Sequence, residues 1–96
     1  MIISYKNQGS KDIFDGKDTK SARQICPQSI WKVARRKLYQ LDFAANLKDL
    51  RSPPKNNLEA LKGDRKGQYS IRISQYRICF IWSDDGVKDV EVVDYH

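Results

Sequence analysis

Histidine is nearly absent from this chain: the single one, His96, stands last in the sequence. The two cysteines, Cys26 and Cys79, form no C-x-x-C pair, so a protein-built zinc site is short of ligands and no metal is expected. Far apart in a chain without export features, they are expected to remain thiols rather than a disulfide. No apolar run exceeds a few residues, against the roughly 18 to 20 needed to span a bilayer. Met1-Ile2-Ile3-Ser4-Tyr5-Lys6 also lacks the apolar stretch of a signal peptide. A cytoplasmic protein that does not enter membranes is therefore expected. Also missing are a glycine-rich phosphate loop, a Ser-His-Asp arrangement and an H-E-x-x-H pattern, which sets aside the common catalytic signatures.

What is present describes one folded domain. Ninety-six residues close a single hydrophobic core and leave no length for a second, so residues 1–96 are read as one unit. With 40% apolar, 10% aromatic and 31% charged residues, the chain has too much apolar surface to remain disordered. The net charge of +6 and pI near 9.4 point to a polyanionic partner, because Lys and Arg contacts to phosphate carry most sequence-independent affinity for nucleic acid. The charge is unevenly placed: Lys20 to Leu41 holds six basic residues and no acid, whereas Asp84 to His96 holds five acids against Lys88.

Periodicity gives the element order. Ile2 to Tyr5 suits a first strand, and Lys11 to Asp15 a short helix stopped at Gly16. The strongest helix starts near Pro27 and runs to about Ala45. Its apolar stripe is Ile30, Ala34, Leu38, Leu41 and Ala45, and its outer face is Lys32, Arg35, Arg36 and Gln40. Pro53 and Pro54 enforce a loop. Tyr69, Ile71 and Ile73 then alternate with polar residues, and Tyr76 to Trp82 completes a hairpin after the Ser74-Gln75 connection. Asp84-Asp85-Gly86 marks a turn before a last strand carrying Val90, Val92 and Val93. The predicted class is α+β in the order β-α-α-β-β-β, two N-terminal helices packed on an antiparallel-rich sheet with the first strand at one edge.

Candidate chemistry gathers at a few positions. Asp94-Tyr95-His96 are three groups that give or take protons, with histidine titrating nearest neutral pH. RNA transesterification needs the 2′-hydroxyl proton removed, the leaving 5′-oxygen protonated and phosphorane charge stabilised, and Lys62, Arg72, Arg77 and the terminal cluster include groups for each task. Arg77 is a lone charge within an apolar strand. A guanidinium there suits a phosphate, held through two hydrogen bonds, and equally suits a structural salt bridge to Asp94 on a neighbouring strand. The basic helix reads either as a solvated face or as a nucleic-acid patch. Tyr69, Tyr76, Phe80 and Trp82 read as packing before they read as base-stacking platforms, and Cys79 as a buried, inert thiol.

Several motifs taken in order are more specific than any of these features alone. Asp49-Leu50-Arg51-Ser52-Pro53-Pro54, Leu58-Glu59-Ala60-Leu61-Lys62-Gly63-Asp64-Arg65, Gly67-Gln68-Tyr69-Ser70-Ile71-Arg72, Arg77-Ile78-Cys79-Phe80 and Val93-Asp94-Tyr95-His96 resemble HigB-type toxins of the RelE/ParE superfamily, as does Val33-Ala34-Arg35-Arg36-Lys37-Leu38. The resemblance implies a RelE-like fold and a ribosome-dependent mRNA endonuclease, restrained by a helix-turn-helix, HigA-like antitoxin and needing no cofactor. It implies His96 as the main proton-transfer group, Tyr95 and Asp94 as its partners, and Arg77 with Lys62 as phosphate and transition-state stabilisers. Lys32, Arg35, Arg36, Arg65 and Arg72 are then expected to contact RNA or ribosome.

Two departures from the family pattern stand out. Some relatives place a histidine where this chain has Glu59, and the Ser74-Gln75 connection is one residue shorter than the usual form. A changed hairpin register would turn Arg77 to the opposite face. Competing readings are a non-catalytic or gyrase-targeting ParE-like growth inhibitor, which would lack the terminal cluster, and a basic RNA-binding module indifferent to His96.

Overall fold

A computed structural model of the chain describes residues 1–94. Three helices, α1 (Gln8–Asp15), α2 (Lys20–Ile25) and α3 (Gln28–Phe43), precede a four-stranded antiparallel sheet of β1 (Glu59–Ala60), β2 (Tyr69–Ile73), β3 (Tyr76–Ser83) and β4 (Gly86–Val93), ordered β1-β2-β3-β4. The α+β class and the helices-before-sheet order hold. Residues 2 to 5, expected as a strand, instead make only isolated parallel bridges along the β4 edge, Ile2 to Val87 and Tyr5 to Val90. The helix expected at Lys11 starts earlier, at Gln8, because the Asn7 side chain accepts the Ser10 N–H at 2.9 Å and caps it. The extra helix α2 is capped by Thr19, whose Oγ1 accepts from Ala22 N at 3.1 Å and donates to Asp12 Oδ2 at 2.7 Å, tying α2 to α1.

The core lies between the helices and one face of the sheet. Ala34, Leu38 and Leu41 of α3, with Trp31, pack against Ile71 and Ile73 of β2, Ile78 and Phe80 of β3, and Val87, Val90 and Val92 of β4. Ile30 is half-buried, and α3 ends at Phe43, so Ala45 of the predicted stripe lies past the helix and is exposed. Tyr76 and Phe80 are buried, while Tyr69 and Trp82 pack against the cluster, so these aromatics belong to the core; the Tyr69 and Phe80 rings stack at 6.2 Å. Each fully buried Leu, Ile, Val or Phe contributes roughly 1.5–3 kcal/mol over leaving it exposed. Alternation sends Ser70, Arg72, Arg77, Cys79, Glu91 and Val93 to the other face of the sheet, away from the helices.

Candidate active site

Register places two arginines directly opposite each other on that second face. The two-residue connection pairs Ile73 with Tyr76 and Arg72 with Arg77, so the short hairpin keeps both guanidinium groups on one side, and the next strand adds Val93 opposite Arg77. Like charges facing across a ladder are unfavourable unless each finds a partner. Arg72 is exposed and donates from Nε to the Ser74 carbonyl at 2.9 Å. Arg77 is 8% exposed and forms an ion pair from Nη2 to Glu59 Oε2 at 2.9 Å, with Nη1 donating to the Asn57 carbonyl at 3.4 Å. The salt-bridge reading of Arg77 thus finds its partner in Glu59. The position opposite Arg77 belongs to Val93, with Asp94 one residue beyond.

The loop holding Asn57 and Glu59 is itself anchored. Asn56 is fully buried; its Nδ2 donates to the Leu50 carbonyl at 3.0 Å and to Gln40 Oε1 at 3.2 Å, and its Oδ1 accepts from Lys37 Nζ at 2.6 Å. Burial together with the neighbouring Arg36 charge lowers the pKa of the Lys37 amine. Asn57 then turns through a left-handed conformation, φ 48°, and its side chain donates to Glu59 Oε1 at 3.0 Å. A buried amide therefore fixes the loop that presents the carboxylate to Arg77.

A second ion pair lies two residues along β3 from Arg77. Glu91, opposite Cys79, is 7% exposed and accepts from Arg65 Nη1 at 2.7 Å, with Lys6 Nζ at 3.9 Å. Arg65, predicted to contact RNA, is thus engaged with this buried carboxylate. Cys79 is fully buried and burial pushes its thiol pKa up, as expected for an inert cysteine. Between Glu59 and Cys79 in the register sits Ser70, whose buried hydroxyl has no hydrogen-bond partner among the described residues.

Of the sequence-predicted residues, the structure gathers Arg72 and Arg77 on the second face, with Asp94 exposed just past Val93 and Lys62 exposed before the 3₁₀ turn Gly63–Arg65. Tyr95 and His96 lie outside the described residues. Lys32, Arg35 and Arg36 sit on α3, which packs on the core side of the sheet, so they belong to a separate surface. Arg35 is partly committed there, donating from Nε to the Ile13 carbonyl at 3.0 Å. Sequence reasoning missed Glu91 and Asn57 altogether and did not pair Glu59 with Arg77. A lone acid within Val90-Glu91-Val92-Val93 is a sequence signal of the same kind as Arg77.

Comparison with known proteins agrees with the resemblance read from the motifs. Residues 3–96 match the family model of the HigB-like toxin, described as the RelE-like toxin of the type II toxin-antitoxin system HigB. The chain is 41% identical over 85 residues to Toxin HigB-1 of Vibrio cholerae serotype O1, covering 88% of this chain and 86% of that protein. It is 38% identical over 65 residues to an uncharacterised protein of Haemophilus influenzae, covering 67% of this chain and 64% of that one. A domain-length family match, an identity this high and the α+β architecture together make the chain a member of the HigB-like family of RelE-like toxins from type II toxin-antitoxin systems.

Proposed function

We propose that this toxin is a ribosome-dependent endoribonuclease, an mRNA interferase that stops translation in the cytoplasm and is held in check by a HigA-like helix-turn-helix antitoxin. The observation that carries this reading is the facing pair Arg72 and Arg77, bordered on the next strand by Val93, from which the chain continues directly into Asp94, Tyr95 and His96. Two guanidinium groups on one side of the sheet suit a phosphodiester, and proton-transfer groups follow within a few residues.

In the proposed reaction the 2′-oxygen attacks phosphorus, the bond from phosphorus to the 5′-oxygen breaks, and a 2′,3′-cyclic phosphate and a free 5′-hydroxyl result. His96 is the main proton-transfer group, with Tyr95 and Asp94 as partners, and Arg77 with Lys62 stabilises the charge of the phosphorane. The incoming phosphate takes the place of the Glu59 carboxylate on Arg77. Arg65 and Arg72 line the RNA path, and Lys32, Arg35 and Arg36 of α3 meet the ribosome through sequence-independent phosphate contacts. Primer extension on mRNA from a reconstituted translation system tests this reading with wild-type protein and His96→Gln. Discrete, ribosome-dependent cuts that vanish in the variant while ribosome binding persists are expected. Full toxicity of His96→Gln would remove the site assignment, and growth arrest without cuts would move the function to another target such as gyrase.

A further inference from the structure

One hydroxyl on the arginine face is buried and left unused by the fold. Ser70 is fully buried, and its Oγ has no hydrogen-bond partner among the described residues. A buried polar group without a partner is destabilising, and alanine at this position would avoid that cost. The register shows what covers it. Glu59 of β1 stands opposite Ser70 of β2, Ser70 stands opposite Cys79 of β3, and Arg77 lies two residues along β3 on the same face. Because β2 runs between β1 and β3, the 2.9 Å ion pair from Arg77 Nη2 to Glu59 Oε2 has to pass over β2, and it sets out beside Ser70. The covering carboxylate does not satisfy the hydroxyl: its Oε1 accepts from Asn57 Nδ2 at 3.0 Å and its Oε2 faces Arg77. The cover is also light, since the Glu59 side chain is 46% exposed and β1 is two residues long.

We infer that Ser70 is a substrate-binding residue, whose hydroxyl donates a hydrogen bond to the RNA phosphate that displaces Glu59 from Arg77. This role rests on the exchange of carboxylate for phosphate proposed above. The two anions differ in shape. A carboxylate is planar, and both of its oxygens are already engaged, by Asn57 and by Arg77. A phosphodiester is tetrahedral, so one non-bridging oxygen can meet the guanidinium while the other turns down towards β2 and the waiting Oγ–H. The hydroxyl keeps its proton and forms no bond to phosphorus. Unpaired beneath the carboxylate and paired beneath the phosphate, it makes the site prefer phosphate and so drives Glu59 off Arg77 when RNA arrives. Ser70 thereby distinguishes the substrate anion from the protein's own.

Inorganic phosphate titrated into the full-length protein and followed by NMR reads this contact without any cleavage. In the wild type the Arg77 Nε–H and Ser70 amide signals should move together along one binding curve, whereas acetate at equal ionic strength should move the Arg77 signal alone. Ser70→Ala is expected to weaken phosphate binding and ribosome-dependent cleavage about tenfold each, the loss of one hydrogen bond to a charged group. Its urea midpoint should equal or exceed that of the wild type, because the substitution deletes an unpaired buried group. Ser70→Thr retains a hydroxyl and should bind phosphate within a few-fold of wild type. The assignment is overturned if Ser70→Ala binds phosphate as the wild type does, or if phosphate moves the Arg77 signal and leaves that of Ser70 in place. A Ser70→Ala protein that melts well below wild type would also overturn it, by showing that the hydroxyl serves the fold. Should the wild type cut no mRNA while phosphate affinity still depends on Ser70, the nuclease reading fails and the assignment of the hydroxyl to phosphate stands.

Discussion

Arg77 and Glu59 meet at 2.9 Å on the sheet face opposite the helices, the guanidinium nearly buried and the carboxylate half-exposed. The pair keeps Arg77 compensated at a position where an unpartnered buried charge would be costly. It also places an exchangeable anion on the group proposed to hold phosphate.

Replacing the two members should give unequal results. Arg77→Ala is expected to lower cleavage roughly 10²- to 10³-fold, the loss typical of removing one transition-state donor. Arg77→Lys should fall between, since an ammonium lacks the two-pronged geometry. Glu59→Gln should leave cleavage within a few-fold of wild type and cost about 1–2 kcal/mol of stability, because the nearly buried Arg77 loses its counter-charge while the amide oxygen can still accept its hydrogen bond. Primer extension and urea melts read these effects, and a Glu59→Gln protein as inactive as Arg77→Ala would place Glu59 in the chemistry itself.

Asn56 governs the same site from inside the fold. Asn56→Ala removes a buried amide with several partners, and the orphaned Leu50 carbonyl and Lys37 amine should cost about 2–3 kcal/mol. Activity measured well below the melting transition should fall as well, because Asn57 and Glu59 lose their anchor. An unchanged urea midpoint would show that the Pro53-Pro54 turn alone holds the loop.

The pairing of Arg65 with Glu91 invites a double-mutant cycle. Arg65→Met leaves a nearly buried carboxylate without its 2.7 Å partner and should cost about 2 kcal/mol, softened by Lys6. Adding Glu91→Gln should recover most of that loss. Additive effects would instead mean that the two side chains are energetically independent.

Asp12 sets an acid limit on the helical layer. Hydrogen bonds from Gln8 and Thr19 lower its pKa below the usual carboxylate range. A depressed folded-state value stabilises above the unfolded pKa of about 4 and loses that contribution as pH falls through the folded value. Wild type should therefore melt above Asp12→Asn at pH 7, with the gap closing below about pH 4. A gap that persists at low pH would mean that ionisation of Asp12 contributes nothing.

The sequence was legible where local pattern and tertiary environment agree. The Ala34, Leu38 and Leu41 stripe located α3, and the alternation of Tyr69, Ile71 and Ile73 located β2, because each pattern reports the face that is buried. Helix α2 escaped notice because six residues with only Ala22 buried carry no periodic signal; Thr19, its cap, was the only local cue. The N-terminal segment reads as a strand, yet it has only β4 to bridge to. Arg77 stood out as a charge among apolar neighbours. Glu59 could not be matched to it, since that contact depends on a loop whose course is set by buried Asn56 and the left-handed Asn57. The proposed proton-transfer roles of Asp94, Tyr95 and His96 came from family resemblance and not from spacing.

The parallel bridges along β4 also decide how this molecule can be approached. Val87 and Val90 already exchange backbone hydrogen bonds with Met1, Ile3, Ser4 and Lys6, and the opposite border, β1, is only two residues long. Among the described residues the β4 edge is therefore already occupied and the β1 edge is short, which disfavours strand addition along β4 and along β1. Along the occupied β4 edge, contacts by any partner fall to side chains, where a single substitution can separate one partner from another.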